Sequence, residues 1–122
     1  MAAVAGEVLN VSNTYWPNVF ALNSTDIYFV SNQDIFRKSL SGGVPALLAS
    51  TPNGSTVIVL DATHIYFADY TSADGSMVKR VPLAGGTAET LTKVPGKVFE
   101  DLAVDSKYIY INDSHEILRV RK

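Results

Sequence analysis

The sequence predicts an all-β protein built from three repeats of four short strands. Three observations carry that expectation. First, the phrases "DIYFVSN" from Asp26, "HIYFADY" from His64 and "YIYINDS" from Tyr108 align, with Ile27, Ile65 and Ile109 in register. A self-similar spacing of roughly 40 residues marks a repeat architecture. Second, Val, Ile, Tyr, Phe and Thr are abundant, and turn-forming residues fall between them. Third, no stretch holds an i, i+3, i+4, i+7 apolar stripe over three turns, because Gly or Pro interrupts every long window.

The strands of one unit follow in order. Strand A is the apolar run in "VFALNST", "VIVLDAT" or "EDLAVDS", each ending in Asn or Asp and a small polar residue, which is turn chemistry. Strand B is the aligned Ile-Tyr phrase. It is apolar on both faces: Ile65 and Phe67 point one way, Tyr66 and Ala68 the other. A strand of this kind lies inside a stack of sheets. Tyr28, Tyr66 and Tyr110 share one slot and are expected to pack between layers, each hydroxyl bonding a neighbouring sheet. Strand C is "IFRKSL", "VKRVPL" or "ILRVRK", with Arg37, Arg80 and Arg119 in register; "SGG" and "AGG" then read as Gly-rich hairpin turns. Strand D is "ALLAS" or "ETLTK", with Leu48 and Leu91 aligned. "DYTSADGS" makes the B–C connection of the second unit longer than its counterparts, and loops absorb insertions cheaply.

Four-stranded units of this length point to a β-propeller. The stretch "DATHIYFADY…GSMVKRVPLAGGTAETLT" resembles blades of the YWTD-type propellers and related bacterial six-bladed families. Tyr66, Phe67, Ala68 and Asp69 fill the YWTD slots. Tyr110, Ile111, Asn112 and Asp113 keep the Tyr and the Asp, and Tyr28, Phe29, Val30 and Ser31 keep the Tyr with an aromatic after it. The resemblance implies a six-bladed fold. It leaves function open, because such propellers serve as receptors, scaffolds, binding platforms and enzymes. The alternative fold is a monomeric β-trefoil, also built from three repeats.

Repeat boundaries fall at about 14–51, 52–95 and 96–122, in one domain covering 1–122. The phrase "EVLNVSN", Glu7 to Asn13, matches strand D but has no unit before it, and the third unit ends without its own strand D. Three blades cover part of a circle and leave apolar faces at both ends. A homodimer would close six blades, with strand 7–12 completing the partner's last blade and leaving no open sheet edge. Glu7, Val8, Leu9, Val11, Ile117, Leu118 and Val120 are then interface residues.

Composition narrows the function classes. A formal charge of −2 disfavours nucleic acid, which needs a concentrated basic surface. The C-terminal "RVRK" is expected to be a solvated end. With no cysteine, disulfides, thiolate chemistry and zinc–thiolate sites are excluded. "MAAVAG" lacks a basic n-region and a long apolar run, so no signal peptide is expected. No apolar run approaches the roughly 18 residues of a membrane helix, so a soluble chain without a membrane partner is expected.

Catalytic constellations are not evident. His64 and His115 lack metal-ligand spacing, there is no Gly-x-Ser-x-Gly elbow, and the Gly-Gly turns lack the Lys of a phosphate-binding loop. Asp69 and Asp74 in "DYTSADG" lack the alternating ligands of a calcium loop, and Glu100 and Asp101 face opposite sides of a strand. No cofactor and no metal is implied. Sequons at Asn10, Asn23, Asn53 and Asn112 would permit glycosylation in a secretory setting, though Asn and Ser are also ordinary turn residues.

The expectation is therefore a non-enzymatic, self-assembling half-propeller, natural or engineered. It would act as a scaffold or as a binding module for a small molecule, a glycan or a protein. Asp69, Tyr70 and Asp74 of the long B–C connection, with Arg37, Arg80 and Arg119, are the candidate ligand contacts. The alternatives are a hydrolase or lyase with a small site at the propeller channel, or a β-trefoil lectin.

Overall fold

The computed structural model describes residues 17–51, 55 and 57–122. The strand D expected at 7–12, with the interface candidates Glu7, Val8, Leu9 and Val11, the sequons at Asn10 and Asn53, and Trp16 lie outside the described residues. Among the described residues all regular structure is strand, arranged as three antiparallel sheets in chain order. Sheet 1 comprises β1 (Val19–Leu22), β2 (Asp26–Ser31), β3 (Asp34–Ser39) and β4 (Ala46–Ser50). Sheet 2 comprises β5 (Ile58–Leu60), β6 (His64–Thr71), β7 (Gly75–Pro82) and β8 (Glu89–Val94). Sheet 3 comprises β9 (Asp101–Val104), β10 (Tyr108–Asn112) and β11 (Ile117–Arg121). Each strand pairs with the next in sequence, as tight turns require. Among the described residues no helix is long and apolar enough to cross a membrane.

One turn, used three times, sets the first hairpin of every sheet. The side-chain oxygen Oδ1 of Asn23, Asp61 or Asp105 accepts the backbone N–H groups two and three residues ahead. Such an Asx turn offers the backbone the partners it loses on reversing direction. A third bond closes the corner from strand C: Leu40 N donates to Thr25 O, Leu83 N to Thr63 O, and Lys122 N to Lys107 O.

The second hairpins differ. In sheet 1, Asn32 and Gln33 at φ 52° and 74° form a two-residue turn, the geometry that suits a right-twisted hairpin. In sheet 2 the insertion lengthens the hairpin instead of the loop. Tyr70 pairs with Ser76 and Thr71 with Gly75, so only 72–74 form the tip. The expected long connection is thus mostly strand, because its residues find ladder partners across the hairpin.

The last pairs share a second device. The register of β3–β4 shifts at Ile35/Phe36 and that of β7–β8 at Val78/Lys79, equivalent positions in the repeat. The extra residues are Leu48 and Leu91, the pair aligned in the sequence. A bulge turns a side chain off the alternating pattern. Leu48 joins the core between sheets 1 and 2, and Leu91 packs on the core between sheets 2 and 3.

Two cores result. Tyr28, Val30 and Ile35 of sheet 1 meet Ile58, Ile65, Phe67 and Val81 of sheet 2. Tyr66, Ala68 and Val78 of sheet 2 meet Leu102, Ile109 and Ile111 of sheet 3. Sheet 2 is therefore covered on both faces, as the two-sided apolar pattern of β6 demands. Burying each large side chain contributes roughly 1.5–3 kcal/mol. Between sheets, β1 lies against β5, and β9 against β5 and β6.

Candidate functional site

The tyrosines tie the hairpins to the turns. Tyr66 Oη donates to Asp61 Oδ2 at 2.7 Å, and Tyr110 Oη to Asp105 Oδ2 at 2.7 Å. Both bonds stay within the tyrosine's own sheet, which corrects the expectation of a bond to a neighbouring sheet. The reason is local: the turn carboxylate precedes the tyrosine by little more than one hairpin corner, and its second oxygen remains free for the hydroxyl. Sheet 1 has Asn23 at the turn and keeps only the Asx part of the motif.

Each repeated arginine sits directly across the ladder from a repeated tyrosine: Arg37 from Tyr28, Arg80 from Tyr66, Arg119 from Tyr110. Their guanidinium groups then diverge. Arg37 Nη1 crosses to sheet 2 and donates to Leu83 O at 2.9 Å. Arg80 Nε bonds Glu89 Oε2 at 2.8 Å, the residue opposite it on β8. Arg119 lies over the Tyr108 ring, 4.2 Å from its centroid, a favourable cation–π geometry. The three do not converge on one point.

Beside the turns of sheets 2 and 3 runs a groove of about 410 Å³, lined by Asp61, Thr63, Asp105, Ser106 and Lys122 among others. Lys122 Nζ forms an ion pair with Asp61 Oδ2 at 2.6 Å and lies 5.4 Å from the Tyr66 ring centroid. The C-terminal lysine is thus docked, contrary to the expectation of a solvated end. Sequence reasoning missed it because its partner is 61 residues away. The only hint was its register with Leu40 and Leu83.

The electrostatics hold protons in place. Burial pushes the Asp61 carboxyl up, but Lys122, the Thr63 N–H, the Tyr66 hydroxyl and the His64 N–H together hold it well below the usual carboxylate range. Asp105 is lowered to about 2 by the Lys107 N–H, the Tyr110 hydroxyl and the Tyr108 N–H. Tyr66 is raised by burial and by Asp61, and Tyr110 by Asp105. Acids move down and phenols move up, away from the near-neutral value a general acid or base needs.

Asp69 and Asp113, at equivalent positions of the second and third repeats, are buried, and each faces a lysine. Asp69 Oδ2 accepts from Lys79 Nζ at 2.7 Å, and Asp69 Oδ1 from the Tyr70 N–H at 2.8 Å. Asp113 Oδ1 accepts the His115 and Glu116 N–H groups, while Lys97 Nζ stands 3.1 Å from Oδ2, off the line of a hydrogen bond. The Glu116 and His115 N–H groups lower Asp113 to about 2, with Lys97 assisting against burial. In sheet 1 the positions of Asp69 and Lys79 are Ser31 and Phe36; in sheet 3 they are Asp113 and Leu118, and Lys97 reaches Asp113 from the connection before β9 instead. Lys79→Phe alone is expected to cost about 2–3 kcal/mol, since it removes the counter-ion of a buried carboxylate. The double variant Asp69→Ser with Lys79→Phe should cost less than that single change, and urea denaturation of the cycle measures the difference.

Of the candidate ligand contacts, Asp69 thus points inward, while Tyr70 is exposed and Asp74 faces Lys93 at 3.5 Å. His64 Nδ1 meets Thr63 Oγ1 at 2.7 Å, and the His115 N–H serves the Asp113 turn. Among the described residues no group of three potential metal ligands occurs. Asn23 and Asn112 both accept turn N–H bonds through their side-chain oxygens. Ile117 is exposed at the start of β11, while Leu118 and Val120 pack on the core between sheets 2 and 3.

No protein-family model matches this sequence, and a search of curated proteins finds no relative.

Proposed function

We propose that the chain is a three-blade arc of a YWTD-like propeller that completes a six-bladed ring with a second copy. In this reading it is a non-enzymatic scaffold or binding module for a small molecule, a glycan or a protein. The observation that carries the reading is the threefold repeat of one hairpin corner, in three separate sheets whose first strands lie side by side. Separate sheets stacked in chain order fit propeller blades better than the single closed barrel of a trefoil. The fixed protonation of the Tyr–Asp pairs favours a structural network over a reaction centre.

The ring would present its turns at two rims, one holding the groove at Asp61 and Lys122, the other the hairpin tip beside Tyr70. Among the described residues β11 pairs on one side only. In the assembled ring that edge takes the strand at 7–12 of the second copy. Sedimentation equilibrium tests the assembly: the expected species has twice the 13.2 kDa of one chain. A folded monomer at micromolar concentration would refute it.

A further inference from the structure

We infer that the second copy docks head to tail, its sheet 1 seated on the open face of sheet 3. The inference rests on the ring reading above and specifies its contact. It comes from comparing equivalent positions in the three sheets. The chain already makes one kind of inter-sheet contact twice. In each, the Tyr-bearing face of one sheet is covered by the Ile-bearing face of the next.

At the end sheets each half of that contact keeps exposed apolar positions, although Phe29 and Lys38 on the Ile-bearing face of sheet 1 are buried. On the Tyr-bearing side, Ile35 and Val78 are both 0% exposed, whereas their equivalent Ile117 is 73% exposed. On the Ile-bearing side, Ile58 and Leu102 are both 4% exposed, whereas their equivalent Phe20 is 62% exposed and neighbouring Leu22 is 54% exposed. Exposed apolar residues at positions buried everywhere else in the repeat mark an interface. The halves are unlike, so the sheet 3 face of one copy fits the sheet 1 face of another, and not its own kind. Such a heterologous contact needs a closing rotation. With two copies each supplies both halves, and the ring closes.

The polar groups set the register. Arg119 stands opposite Tyr110 as Arg37 stands opposite Tyr28. Arg37 crosses to the carbonyl of Leu83, and Leu40 is the equivalent of Leu83 in sheet 1. By the geometry of the first contact Arg119 would donate to Leu40 O of the second copy, whereas Arg80 in the second contact is held by Glu89.

Two surface variants test the mode. Ala103 is exposed on β9, away from the β11 edge, so a change there leaves strand pairing untouched. Ala103→Arg disables the sheet 3 face and Leu22→Glu the sheet 1 face. Each alone should sediment as a monomer with unchanged circular dichroism. An equimolar mixture should return to twice the monomer mass, because one contact is wild type and the other pairs Arg with Glu. If wild type dimerises but either variant stays dimeric, or the mixture stays monomeric, the head-to-tail mode and with it the closed ring are overturned, while dimerisation through another face stands. A monomeric wild type overturns both. Should either variant lose its β-sheet spectrum, Ala103→Ser and Leu22→Ser are read instead by dimer dissociation constant. Leu22→Ser is expected to weaken it by on the order of tenfold; no change overturns the mode.

Discussion

Gly75→Ala is expected to lower stability by about 3 kcal/mol, one of the largest single-residue effects in the chain. Gly75 holds φ at +73°, and a Cβ there would stand 2.6 Å from both Pro95 Cα and Val94 O. Both are backbone atoms, so no side chain can swing aside. The extended hairpin of sheet 2 presses at this point on the connection leading to sheet 3. Next to it, Ser76 Oγ donates to Lys97 O at 2.6 Å and accepts the Phe99 N–H at 3.3 Å. Pushing Gly75 away therefore disturbs the joint between two sheets. Gly96 supplies the control. Its φ is +75°, yet an added Cβ meets nothing within 4 Å. Gly96→Ala should cost only about 1 kcal/mol of backbone strain. Urea midpoints of the two variants separate the steric part from the conformational part. Equal losses would mean that the hairpin does not bear on Val94–Pro95 as described.

Asp61→Ala is expected to cost about 3–4 kcal/mol, because one side chain serves five donors. Its loss removes the Asx turn, leaves the Tyr66 hydroxyl without its acceptor and strips Lys122 of its counter-ion. Asp61→Asn should cost only about 1–2 kcal/mol. Asn23 already forms the same turn in sheet 1, so an amide oxygen suffices for the corner, and what is lost is the second oxygen that accepts from Tyr66 and Lys122. The pH dependence follows with a definite sign. The folded carboxyl lies below the ordinary aspartate value of 3.8, so its contribution is present above that value. It is lost as pH falls below 4 towards the folded pKa. The wild-type chain should therefore lose stability in that acid window, and Asp61→Asn should lose less. Thermal melts from pH 6 to pH 2 measure both slopes.

Much of this was legible in the one-dimensional pattern. The aligned Ile-Tyr phrases located β2, β6 and β10. The Asn or Asp closing each strand A located the turns, and the Gly-Gly pairs located the last hairpins. Other features were not legible. Alternation cannot show that Leu48 and Leu91 are bulge residues, because a bulge breaks the rule that alternation relies on. The direction of the Tyr66 hydroxyl depended on which Asp61 oxygen was left over once the turn had formed. Asp69 lies within β6 opposite Met77, although its sequence neighbourhood suggests a loop, because the hairpin ladder continues past it.

The sequence by itself determined the all-β class, the threefold repeat and the place of nearly every strand. Those properties arise from short-range causes: side-chain alternation along a strand and the backbone preferences of turn residues. Only the tertiary structure decided which charges meet and which faces stay open. Lys122 finds Asp61, Lys97 finds Asp113, and Phe20 is exposed where Ile58 is buried. Such outcomes depend on distances through space between sheets, and a spacing along the chain does not encode them.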